Sequence, residues 1–330
     1  MLINDDILWL KVFGKISNQN LKKFLEDKTD DEEASIITES LKLKDSKKLS
    51  DYISSLSNQN IQVLCYLDEN YPTELKELSD SPMILYCKGD VGLLAIKTKL
   101  SIIGSRRMTD VSTSNINKIA ESKFANDRII VSGLAIGVDS YVHQKFMKKG
   151  NKLIAVLGSP INVCYPPSKI SLYRHIENNG LIISEYEPGS RINTFNFVIR
   201  NRIIAALCDD LLVIQSSLDS GSIQTIMHAK KLDKNIHVVI GDLSDDSNLG
   251  NVFAANNYGA KIFSLGFDVD NAEYMSNLHP LVKQLKRGVG YTIGDLSSLN
   301  LDNQDINLLL LELEIQNQIV RRSDGRYYQS

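Results

Sequence analysis

Several short stretches of this chain carry side chains suited to holding a phosphate. Arg106 follows Ile103-Gly104-Ser105 at the end of an apolar run, where a guanidinium can offer an anion a two-pronged donor fork. Its competing reading is a surface salt bridge; the small Gly104 and Ser105 keep the approach open and favour a ligand. Ser132 and Gly133 begin a small-residue turn after Ile129-Ile-Val131, the kind of turn that leaves backbone N–H groups free for an anion. Arg200 and Arg202 flank Asn201 just ahead of an apolar helix, where the helix dipole opposes positive charge. That conflict marks them either as recruited for a ligand or as paired with acids such as Glu185 or Glu187. Asp219-Ser220-Gly221-Ser222 reads either as a nest of N–H groups or as a helix N-cap with a tight turn. Lys169 closes the rigid loop Tyr165-Pro-Pro-Ser-Lys169, placing a cation for a phosphate beside a ring for a base. His143, alone on a helix, reads as packing or capping.

These residues sit at the joints of a repeated pattern: a β-prone apolar run, a Gly/Ser turn, then helical spacing. Strands are expected at about 100–104, 128–132, 152–157, 181–184, 210–215 and 236–240, with helices at about 113–125, 137–149, 168–179, 199–207 and 222–231. Such alternation predicts an α/β fold, a mostly parallel sheet with helices on both faces, with its ligand at the carboxyl edge of the strands. Residues 1–60 read as a small helical module, with Asp30-Asp-Glu-Glu33 as a helix start, and 61–265 as the core; it opens with a connecting strand region from Ile61 to Lys99, in which Ser81–Gly89 is a strand entered through Pro82 and closed by a glycine turn. Between the first two helices, Phe13-Gly-Lys-Ile-Ser17 reads as a plain connection rather than a DNA-contacting hairpin. Asn251–Ala260 is expected to add a helix to the core. Residues 266–330 follow the winged-helix order: helices at 280–287, 292–299 and 302–316, then a hairpin over 319–328 turning on Asp324-Gly325. The third helix, with Asn307-Leu-Leu-Leu-Leu-Glu-Leu-Glu314, is apolar and acidic, which suits protein contact or regulation better than a DNA groove.

Composition narrows the class. A net charge of −3 over 330 residues carries no global basic signature, so any polyanion site is a local patch. The four cysteines are scattered without Cys-x-x-Cys spacing, which suits reduced thiols and predicts no structural metal. Asp5 and Asp6 stand where a signal peptide needs basic residues, and no apolar run approaches a membrane span, so the expectation is a cytoplasmic protein with no membrane partner. Neither a phosphate-binding Gly-x-x-x-x-Gly-Lys-Ser/Thr loop nor a Gly-x-Gly-x-x-Gly fingerprint occurs. No nucleophilic triad or carboxylate pair can be assembled from spacing, so neither cofactor nor catalysis is expected.

In order along the chain, the motifs resemble those of the DprA/Smf family of bacterial DNA-processing proteins. They are Tyr71-Pro72, Ser81-Pro82 to Tyr86 and Gly89, Gly104-Ser-Arg106 with Thr109, and Ser132-Gly-Leu-Ala135 with Gly137, Asp139 and His143. Ala155-Val-Leu-Gly158, Tyr165-Pro166, Ser184-Glu185 with Pro188-Gly189, Arg200-Asn-Arg-Ile-Ile-Ala205, Ser220-Gly-Ser222 and Gly325-x-Tyr327 continue the likeness, which covers 71–330 well and 1–60 weakly. The chain departs at Asn162, Lys169, Val198 and Gln215, where the family usually has Asp, Asn, Pro and Glu, and at Val111-Ser112, where it has Tyr-Gly. The resemblance implies an extended Rossmann-like domain that binds single-stranded DNA, dimerises, and helps load RecA in natural transformation. It implies that Arg106 grips phosphate, with Gly104, Ser105, Arg200 and Arg202 shaping the same pocket; Lys169 is added as a second grip. A rival from the same fold class is a nucleotide-cleaving phosphoribohydrolase of the LOG type. Its Pro-Gly-Gly-x-Gly-Thr loop and catalytic Glu have no counterpart in Asp219-Ser-Gly-Ser-Ile-Gln-Thr225. A nucleotide sensor using the same pocket is the third reading, distinguished by saturating with a mononucleotide.

Overall fold

The central strands bury apolar side chains on both sides because both faces of the sheet are covered. In the computed structural model, Leu100, Ile102, Ile130, Leu153 and Ala155 belong to one hydrophobic cluster, whereas Ile103, Val131, Ile154 and Val156 belong to another. The structure describes residues 2–240, 246–263, 290–292, 296, 310, 313, 319–321 and 326–329.

The chain opens with four helices, α1 (Asn4–Val12), α2 (Asn18–Leu25), α3 (Asp31–Lys42) and α4 (Ser46–Ser57). Side-chain oxygens cap three of them: Ser17 accepts from Asn20 N, Asp30 from Glu33 N, and Asp45 from Lys47 N and Lys48 N. Asp30 thus starts a helix, as its acidic neighbourhood predicted. Phe13–Ser17 is a connection between helices, with Lys15 paired to Glu187 at 3.1 Å. Ile7, Leu10, Leu21, Ile37 and Leu56 share a core with Met83 and Tyr86, and Tyr52 and Tyr86 join hydroxyls at 2.9 Å.

After the helices come β1 (Gln62–Cys65), α5 (Thr73–Lys76) and β2 (Ile84–Gly89), then the alternating core. It runs β3 (Lys99–Ile103), α6 (Asp110–Glu121), β4 (Ile129–Ser132), α7 (Val138–Lys149), β5 (Leu153–Leu157), α8 (Ile170–Asn179) and β6 (Leu181–Ser184). It continues α9 (Thr194–Ile199), α10 (Asn201–Leu207), β7 (Asp210–Val213), α11 (Gly221–Lys231), β8 (Asn235–Val238), α12 (Leu249–Tyr258) and β9 (Lys261–Ile262). The sheet has nine strands in the order β1-β2-β6-β5-β4-β3-β7-β8-β9. Pairings from β6 to β9 are parallel, while β2 is antiparallel to both β1 and β6. The strand expected over Ser81–Gly89 is thus β2, which begins at Ile84 and joins the main sheet.

From β3 the sheet grows one way through β4, β5 and β6. The chain then returns to lay β7 against the other side of β3, pairing Ile103 with Val213. That reversal opens a crevice at the carboxyl ends of β3 and β7, the place where open α/β sheets take ligands.

In the tail, Leu296, Leu310 and Leu313 are helical and buried. There β10 (Ile319–Arg321) pairs antiparallel with β11 (Tyr327–Gln329), Val320 opposite Tyr328, as the hairpin expectation requires. The turn at Asp324-Gly325, the helix at 280–287 and most of the helices at 292–299 and 302–316 lie outside the described residues.

Candidate nucleic-acid interface

The crevice is a cleft of about 540 Å³. One wall is the turn after β3. Ser105 Oγ accepts from the Arg107 amide at 3.0 Å and donates to its carbonyl, a local turn that leaves the Arg106 and Arg107 side chains exposed in the cleft. Among the described residues, neither guanidinium has a carboxylate within 4.0 Å, in contrast to Arg128 and Arg202, which are paired. The N-terminus of α7 braces this turn through Val138 N, which donates to Ser105 O at 3.1 Å. Gly137 permits that contact: its φ is +88°, and a Cβ there would lie 2.3 Å from Ser105 O.

Gln215, fully buried after β7, fastens the far end of the turn. Its Oε1 accepts from Thr109 N at 3.2 Å and from Ser112 Oγ at 2.5 Å, and its Nε2 donates to Ser247 Oγ at 2.6 Å. Thr109 in turn caps α6 through Ser112 N. One amide thus ties the arginine turn, the start of α6 and the segment before α12 together.

The back wall is Arg200, 3% exposed at the junction of α9 and α10. It donates to Gly133 O at 2.8 Å, to Val156 O, and to Asn201 Oδ1 at 3.1 Å. A Cβ on Gly133 would lie 2.5 Å from this guanidinium, so the glycine makes room for an arginine. Asp139 sits behind it. Burial raises its carboxyl to about 6, against the lowering pull of Arg200 and of the Gly133 N–H.

The loop after β7 forms the other wall. Ser220 Oγ caps α11 by accepting from Ser222 N at 3.1 Å, and Asn201 Nδ2 donates to Gly221 O at 3.3 Å. The cap reading of Asp219–Ser222 therefore holds, and the same loop lines the cleft.

Of the residues singled out in sequence, Gly104, Arg106, Arg200, Asn201, Ser220, Gly221 and Ser222 line one cleft. Ser105 shapes it from beneath. Ser132 is fully buried with its hydroxyl on Ile102 O, and Gly133 backs Arg200. Arg202 turns away: 5% exposed, it pairs with Glu185 at 2.9 Å and Asp80 at 3.5 Å, as its structural alternative foresaw. Lys169 is half-buried in a 3-10 turn and is not among the lining residues. Spacing alone passed over Arg107 and Phe197. The Phe197 ring lies under the Arg106 guanidinium at 5.9 Å and 5.2 Å from the ring of Tyr165. Its signal was an apolar segment with no core to fill: α9 buries none of its residues, and Phe195 is 73% exposed.

Fold and site together define a doubly wound, Rossmann-like protein with an arginine-bearing cleft at its topological switch point. The profile of the DNA recombination-mediator protein A family matches residues 62–272, and the chain belongs to that family. It is 35% identical to DNA processing protein DprA of Streptococcus pneumoniae over 203 residues, 62% of this chain and 71% of that protein. With the Bacillus subtilis DprA it shares 30% over 198 residues, 60% and 67% of the two chains. The X-ray structure of the Streptococcus pneumoniae protein matches at TM-score 0.65 and 28% identity, covering 84% of this chain and 94% of that one. A structure addressing the single-stranded DNA binding mode of Helicobacter pylori DNA processing protein A matches at TM-score 0.57 and 30% identity, covering 66% and 97%. Among the described residues no helix is long and apolar enough to cross a membrane.

Proposed function

We propose that this protein is a single-stranded DNA-binding recombination mediator whose strand runs through the switch-point cleft. The observation that carries the reading is the exposed Arg106–Arg107 pair, without an acidic partner among the described residues, in a chain of the recombination-mediator family. The relative from Helicobacter pylori, studied for its single-stranded DNA binding, supports it. The two guanidinia take backbone phosphates, a sequence-independent and salt-sensitive contact. Phe197 and Tyr165 offer rings to bases beside them, and Lys169, four residues beyond Tyr165, takes a phosphate farther along. Asn201 and the Ser220–Ser222 loop set the width of the opposite wall.

With net charge −3, each protomer neutralises only a few phosphates, so a homodimer gains by doubling the contacts along one strand. In this reading the protein acts in the cytoplasm, holds incoming DNA during natural transformation, hands it to RecA, and binds without turning its ligand over.

Fluorescence anisotropy with a labelled oligothymidine at two salt concentrations tests the reading. Wild type binds, binding weakens as salt rises, and Arg106→Ala with Arg107→Ala costs roughly tenfold or more in affinity. A mononucleotide does not compete. Failure of the folded protein to bind any oligomer, or saturation by a mononucleotide, overturns the reading.

A further inference from the structure

Asp219 is out of place in a cleft built to receive an anion. It lies on the loop before α11, exposed, and lines the same cleft as Arg106, Arg107 and Arg200. Among the described residues no cation lies within 4.0 Å of its carboxylate. Nor is it spent on the helix, because Ser220 supplies the cap of α11. The cleft's other carboxylate is withdrawn, Asp139 being 8% exposed, and its amide oxygen, Asn201 Oδ1, already accepts from Arg200. Asp219 is thus the exposed carboxylate opposite a set of donors.

A phosphate cannot settle against it, since like charges repel. Whatever part of the ligand faces Asp219 must donate hydrogen bonds. Phosphates and deoxyriboses inside a DNA strand have no donors, which leaves the base edges. Guanine presents N1–H and N2–H side by side, a match for the two oxygens of a carboxylate. Cytosine and adenine offer one amine, while thymine's single N3–H is flanked by two carbonyl oxygens that a carboxylate repels.

We infer that Asp219 reads a base edge in this cleft and favours guanine in the bound strand. The inference rests on the single-stranded DNA reading above and adds a base preference to it. Phosphates sit over Arg106 and Arg107, and the base swings across to Asp219.

The test is anisotropy of the full chain with oligothymidines carrying one guanine at each position in turn, for wild type and Asp219→Asn. At the best position guanine tightens wild-type binding about five- to tenfold, and Asp219→Asn reduces that gain to within about twofold. An equal rise in affinity for all oligomers in Asp219→Asn, with the guanine gain intact, overturns the inference and leaves Asp219 as plain repulsion. So does a wild type indifferent to guanine while Arg106→Ala still weakens binding; the strand-binding reading then survives alone. A preference for oligouridine over oligothymidine that vanishes in Asp219→Asn assigns the carboxylate to the 2′-hydroxyl and also overturns it. Absence of binding to every oligomer removes both readings.

Discussion

Arg106 and Arg107 stand exposed on a turn with no carboxylate within 4.0 Å among the described residues, whereas Arg200 and Arg202 are 3% and 5% exposed and bonded throughout. The residue type is the same and both pairs follow an apolar segment, yet one pair is available to a ligand and the other holds the protein together. Arg200 satisfies carbonyls of two strand ends, and Arg202 neutralises Glu185 between the N-terminal helices and α10. A buried guanidinium must find its donors' partners inside the fold, and having found them it has little left for a ligand. An exposed one retains its hydration and its full fork until an anion arrives.

Substitutions that act oppositely on the two pairs sharpen the contrast. Arg202→Met leaves Glu185, itself largely buried, without its charged partner, only the neutral Asn18 amide remaining, and is expected to cost about 3–5 kcal/mol in urea unfolding. Arg106→Ala, in the same assay, is expected to change stability by less than about 0.5 kcal/mol. Equal losses in the two variants would break the distinction.

Asp139 supplies a pH test of the buried side. Its folded carboxyl is raised to about 6, first by burial, above its ordinary value of 3.8. The neutral acid is therefore favoured in the fold. Its contribution is complete below about pH 4 and is lost as pH rises through about 6, roughly 2 to 3 kcal/mol across that window. Unfolding of wild type against Asp139→Asn from pH 4 to 7 is expected to show that slope in wild type and a flatter one in the variant. Parallel slopes would remove Asp139 from the account.

A smaller loss than that of Arg202 or Asp139 links the two regions. Gln215→Leu strips Thr109 N, Ser112 Oγ and Ser247 Oγ of a shared partner, at about 1–2 kcal/mol, and loosens the turn carrying Arg106. DNA affinity should fall with it, and Gln215→Glu, which keeps the acceptor for Thr109 and Ser112, should recover most of the loss. A Leu variant with unchanged affinity would show the turn to be held by Ser105 and α7 alone.

Strand and helix positions from β3 to β8 were legible because the strands are predominantly apolar runs that lead into Gly or Ser turns, a local pattern of size and hydropathy. The place of the cleft was legible for the same reason: the turns after β3 and β7 both carry small residues, and parallel topology brings their ends together. The antiparallel pairing of β10 with β11 was legible in the Asp324-Gly325 dipeptide between them, a hairpin signal. Burial was not legible. Nothing in Arg200-Asn-Arg202 distinguishes a guanidinium facing the cleft from one facing Glu185, because the choice depends on a one-residue rotation around α10 and on acids 17 and 122 positions away. Gly133 resembled a phosphate turn, but the space it leaves is filled by an arginine arriving from residue 200, a contact 67 positions distant. Local sequence therefore determined the strands, the turns and the kinds of charge brought to the sheet edge. Tertiary structure alone decided which charges remained free, since desolvation and partnering depend on what the rest of the chain packs around each group.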